Sequence, residues 1–103
     1  MMQRMDFYTP QVERLTAAEY TRRVQAIAGT DGWTATADWQ LMENHWRGIP
    51  IGAVAALLTV TPQRAFERRA AIVAAVTDGP DVPLEHRWLV LAALRAASDG
   101  ETQ

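Results

Sequence analysis

The chain has 103 residues, about half of them apolar, no cysteine, and a formal net charge of −2. That length holds one small domain with a modest core, and the apolar content excludes a chain disordered by composition. The missing thiols exclude a disulfide framework or a zinc site built on thiolates, and the near-neutral charge excludes a strongly basic nucleic-acid binder.

Residues 1–14 are polar, rich in methionine at the start and interrupted by Pro10. They read as a flexible arm ahead of one helical domain over 15–98. Met1 is not followed by a basic segment and an apolar run, so no secretory leader is expected. The longest nearly uncharged stretch, Gly48 to Gln63, is broken by Pro50, Gly52 and Pro62 and is too short for a bilayer span. The expectation is a cytoplasmic protein with no membrane partner.

The first helix signal is Thr16-Ala17-Ala18-Glu19, a capping box in which hydroxyl and carboxylate serve each other's backbone donors. Tyr20, Val24 and Ile27 follow at helical spacing, and the helix should stop near Gly29. Residues Gly29 to Trp33 are turn chemistry. Thr34 or Thr36 caps a second helix, with Asp38 in its first turn, where the helix dipole favours negative charge. Trp39, Met42 and Trp46 share its apolar stripe, and Gly48 ends it.

Pro50 suits the first turn of a short third helix, whose apolar face is Ile51, Val54, Leu57 and Leu58. Thr59-Val60-Thr61 is a turn. Thr61 caps a fourth helix, with Pro62 at its first position, running to about Val76. Asp78-Gly79-Pro80 breaks it. Pro83 opens a fifth helix to about Ala97, leaving Ser98 in a frayed end. Leu84, Trp88, Leu89, Val90, Leu91 and Leu94 cover more than one stripe of that helix, which therefore wants burial on several sides. No strand-like alternation and no internal repeat appear. The fold class is all-α, about five helices.

Val54-Ala55-Ala56-Leu57-Leu58-Thr59-Val60-Thr61-Pro62 resembles the helix-turn-helix of bacterial DNA-binding proteins. Ala55 lets two helices approach closely, Val60 plugs the turn into the core, and Thr61 satisfies free backbone donors of the recognition helix. Further back, Trp33-Thr34, Leu41, Trp46, Gly48, Val54-Ala55 and Leu58 are similar to the three-helix domain of GcrA-type cell-cycle regulators and their Myb-like relatives. The resemblance covers roughly residues 32–76 and implies a central three-helix core that places a recognition helix, about 62–76, in the major groove. Three positions depart from the pattern. Thr59 stands where glycine is usual, and Ala65 and Arg68 stand where apolar residues are expected. Phe66, Ala70 and Val73 supply an apolar stripe one residue out of phase.

On that reading the fourth helix presents Gln63, Arg64, Glu67 and Arg68 opposite Phe66 and Val73. Arg64 and Arg68 are the expected base or phosphate contacts, since a guanidinium donates to guanine O6 and N7, and Gln63 suits adenine. Arg69 and Arg47 flank the face and suit phosphates. The Thr61 cap with its free N–H groups suits one more. Residues 61–76 carry net charge +2, against −1 for 30–78. The expected function is a small DNA-binding regulator of transcription acting on double-stranded DNA, with a homodimer through the fifth helix adding phosphate contacts.

The low charge also fits an adaptor that binds RNA polymerase or another regulator. A helix-turn-helix with oligomerising helices further fits a phage-like small terminase subunit, which predicts a ring. Trp33, Trp39, Trp46 and Trp88 read as packing residues rather than base-stacking platforms. His45 and His86 lie far apart without evident partners, so no metal is expected. No nucleophile–base pattern, phosphate loop or carboxylate pair stands out, and neither enzymatic activity nor a cofactor is expected.

Overall fold

The computed structural model describes residues 15–101; the arm expected over 1–14 lies outside them. Among the described residues the chain is all-α, with five helices: α1 (Ala17–Ile27), α2 (Ala35–Trp46), α3 (Ile51–Leu58), α4 (Pro62–Val76) and α5 (Arg87–Glu101). A 3-10 turn, Leu84–His86, leads into α5.

Local signals set most of these boundaries. The α1 capping box is formed, with Thr16 Oγ1 accepting from Glu19 N at 3.1 Å and Glu19 Oε1 from Thr16 N at 3.4 Å. Of the two candidate caps for α2, Thr34 fills the role, accepting from Ala37 N at 3.0 Å. Thr36 instead faces α5, where its hydroxyl lies 2.6 Å from Ser98 Oγ.

α5 packs along α1 and α2, while α4 packs against α1 and α3. Tyr20, Leu41, Met42, Ile72, Val90 and Leu94 are among the fully buried side chains of the single core this creates. Each stabilises the fold by roughly 1.5–3 kcal/mol relative to exposure. Trp39 and Trp46 pack against that core half-buried. Trp33 is buried.

Five sequence expectations are corrected. The α5 helix starts at Arg87 rather than Pro83, because residues 84–86 are wound as a 3-10 turn, with His86 N donating to Pro83 O at 2.8 Å; Arg87 also folds back on the preceding loop, its Nε donating to Val82 O at 3.1 Å and its Nη2 to Asp81 at 3.3 Å. It ends at Glu101 rather than Ala97, and Ser98 is buried, not frayed. Its apolar surface is not buried all round, since Leu84 and Trp88 stand 74% and 65% exposed. On α3, Leu57 faces outward, and the buried pair is Val54 and Ala55.

Candidate nucleic-acid interface

The connection between α3 and α4 is Thr59-Val60-Thr61. α3 closes on Thr59, which adopts φ 60°, ψ 45°. Thr59 N donates to Ala56 O at 3.2 Å and Val60 N to Ala55 O at 3.0 Å. This bond pair satisfies the last carbonyls of a helix that ends on a left-handed residue. Glycine would take that conformation freely; a β-branched threonine is strained there. Thr61 then caps α4, its Oγ1 accepting from Arg64 N at 3.1 Å, with Pro62 at the first helical position. The cap and the N-terminal turn of α4 are solvent-exposed.

The phase of α4 differs from the expected one. Its buried residues are Ala65, Arg68, Ile72 and Val76, whereas Phe66 is half exposed and Ala70 exposed. The apolar stripe therefore includes an arginine, and Arg68 does not lie on the outer face assigned to it. Its guanidinium is inside the protein. Nε donates to Asp38 Oδ1 at 2.8 Å and Nη2 to Asp38 Oδ2 at 2.9 Å, a two-pronged pair with both side chains buried. Nη2 also reaches Ile27 O, at the C-terminal end of α1, at 2.8 Å. Gly29 N donates to Asp38 Oδ2 at 2.9 Å. Two side chains thus join α1, the α1–α2 loop, α2 and α4, and saturate much of each other's hydrogen-bonding capacity, as a buried charge pair requires.

The other expected contact residues are placed as follows. Gln63, Arg64 and Glu67 are exposed on α4 with Ala70, Ala71 and Ala74. Gln63 Nε2 donates to Glu67 Oε2 at 2.6 Å, so these two side chains hold each other. Arg64 makes no ion pair among the described residues; its guanidinium carbon sits 5.5 Å from the Trp33 ring centroid, beside Gly32. This is a cation–π contact that leaves donor edges free. Arg69 is half-buried, 5.2 Å over the Phe66 ring, with Nη1 3.4 Å from His45 Nδ1. Arg47, exposed at the end of α2, pairs with Glu43 at 3.5 Å.

Two residues that matter for this face were read from the sequence in other roles, Trp33 as a packing residue and Asp38 as the acid of the first turn of α2. Trp33 carries both Arg64 and Arg68 near its ring, the latter at 5.8 Å. Asp38 anchors Arg68; the signal available was its own spacing, since Asp38 shares a helical face with the apolar pair Leu41 and Met42. The histidines also have neighbours. Burial first, then the Arg69 charge, pushes His45 below its ordinary range. His86 Nδ1 lies 3.0 Å from the Tyr20 hydroxyl, whose pKa burial raises.

No helix among the described residues is long and apolar enough to cross a membrane. No family model, curated protein or solved structure matches the chain.

Proposed function

We propose that the chain is a small DNA-binding regulator acting in the cytoplasm, in which α3, the Thr59–Thr61 turn and α4 serve as a helix-turn-helix. The observation that carries this reading is the exposed, Thr61-capped start of α4, with Gln63 beside it and Arg64, which makes no ion pair among the described residues. A helix N-terminus with free backbone donors and positive dipole is suited to phosphate, and an arginine on its first exposed turn is suited to a base edge. The resemblance of residues 32–76 to GcrA-type and Myb-like domains supports the same assignment. With Arg68 buried, the contact set reduces to Thr61, Gln63, Arg64, Glu67 and Arg69, with Arg47 at the flank.

Titration against random-sequence duplex DNA at about 50 and about 200 mM salt tests this. With about three phosphates neutralised, affinity falls roughly 40-fold between the two. Arg64→Ala weakens binding by about 1–3 kcal/mol if Arg64 reads a base. Absence of binding at low salt, at protein concentrations above about 10⁻⁴ M, overturns the proposal.

One observation favours a second reading. Leu57 and Phe66 stand 63% and 51% exposed on the same two helices. Large exposed apolar side chains are an anchor for a protein partner. An adaptor for RNA polymerase or another regulator follows from it, with partner binding that is insensitive to added salt.

A further inference from the structure

We propose that the cleft between α4 and the loop after it binds a small monocarboxylate, whose two oxygens accept from Arg69 and His45 while its apolar body lies along Val73, Ala74 and Pro80. The site is independent of the DNA-binding reading. Arg69 also belongs to the DNA contact set, so the test contains no DNA. The cleft has a volume of about 380 Å³ and is walled by the end of α2, one side of α4 and the 77–83 loop. That volume is at the small end for ligand sites, which combine a mostly apolar lining with a few placed polar groups. Ala70, Val73, Ala74 and Pro80 supply the apolar lining, and His45, Arg69 and Asp81 the polar groups.

The three polar groups are unequally satisfied. Asp81 is engaged at both oxygens: Oδ1 accepts from Val82 N at 2.7 Å and Oδ2 from Arg87 Nη2 at 3.3 Å. Arg69 is a half-buried guanidinium that makes no ion pair among the described residues. Its hydrogen bond is to His45 Nδ1, at 3.4 Å, and it lies 5.2 Å over the Phe66 ring. A guanidinium can only donate, so Nδ1 accepts and the neutral imidazole carries its proton on Nε2. That N–H has no partner among the described residues. One apolar cleft is thus bordered by two donors, and one of them carries a full positive charge without a counter-charge.

Charge selects the class of ligand. The flat fork of an arginine matches the two oxygens of a carboxylate. Asp81 keeps its negative charge on the same cleft and repels a phosphate dianion about twice as strongly as a monoanion. Proton linkage follows from the neighbours of His45. Burial and then the Arg69 charge hold it below its ordinary range; Arg87, at the start of α5, acts the same way, and Asp81, in the loop, acts against them. A carboxylate beside the imidazole favours its charged form, so His45 takes up a proton on binding, and affinity rises as pH falls from neutral.

Amide NMR on the isotopically labelled full chain, titrated with sodium benzoate to about 30 mM at constant ionic strength, tests the proposal. The expected result is saturable shifts centred on His45, Arg69, Val73 and Gly79, with Kd on the order of 1 mM at neutral pH. Benzamide, the uncharged isostere, and inorganic phosphate bind at least about tenfold more weakly. Arg69→Ala raises Kd for benzoate at least about tenfold. Because Arg69 is half-buried, Ala74→Phe provides a second variant: position 74 is exposed, so the fold is kept, and the ring fills the cleft with a similar loss. Affinity is at least about twofold higher at about pH 6.0 than at about pH 7.5, and His45→Gln removes that difference. The absence of saturable shifts at the highest benzoate concentration overturns the proposal. So does benzamide or phosphate binding as tightly as benzoate, a Kd indifferent to both Arg69→Ala and Ala74→Phe, or a wild-type affinity that does not change with pH.

Discussion

Arg68 Nε lies 2.8 Å from Asp38 Oδ1, and both side chains are closed off from solvent. Removing one member of such a pair strands the other as an uncompensated buried charge. Arg68→Ala or Asp38→Ala should therefore lower unfolding free energy by about 3–5 kcal/mol in urea denaturation. Arg68→Lys should not rescue it, because an ammonium cannot reproduce the two-pronged geometry. Wild-type stability in Arg68→Ala would return Arg68 to the surface.

The exposed Arg64 gives the contrasting case. Its substitution by alanine should change stability by less than about 0.5 kcal/mol, apart from the loss of the Trp33 contact, while reducing DNA affinity. Paired denaturation and DNA titrations separate the two arginines. A large stability loss on Arg64→Ala would show that its role is structural instead.

Thr59 is the left-handed residue that ends α3. A branched Cβ in that region costs about 1–2 kcal/mol, and glycine relieves it. Thr59→Gly should raise the thermal midpoint, with a gain of about 1 kcal/mol once the greater entropy of the unfolded glycine is subtracted. Unchanged or lower stability would mean that the threonine side chain makes a compensating interaction there.

Glu101 gives a pH dependence. Its carboxylate accepts from Ala35 N at 2.5 Å and from Thr36 N at 3.1 Å, capping the first turn of α2 from another helix. The Ala35 bond is the main cause that holds its pKa below the ordinary 4.5. A depressed carboxylate contributes stability that is fully present above 4.5 and fades as pH falls through the lowered value. Glu101→Gln should be less stable at neutral pH, and the difference from wild type should shrink on acidification. A difference that stays constant from pH 7 to pH 3 would remove the linkage.

The sequence discloses the helix count and most starts and stops because capping is local chemistry. Thr16, Thr34 and Thr61 each serve a donor three residues away. The roll of α4 escapes the same method. Periodicity counts apolar residues, and arginine counts as surface, so the stripe passes to Phe66, Ala70 and Val73. The true stripe runs Ala65, Arg68, Ile72 and Val76, and its charged member is acceptable only because Asp38 waits 30 residues away. Pairings at that separation leave no periodic trace. The exposure of Trp88 escapes for a related reason: a large apolar residue on an apolar helix reads as core, and nothing local says that its side faces away from every other helix.

The guanidinium of Arg68 fixes how far α4 is turned about its own axis, since a small rotation would pull it from Asp38 and from Ile27 O together. The face of α4 that looks outward is thereby separated from the forces that fold it. Residues 63, 64, 67, 70, 71 and 74 can vary without disturbing what holds the helix. In the proposed DNA-binding role, base preference would then change by substitution at these positions while α4 keeps its seat.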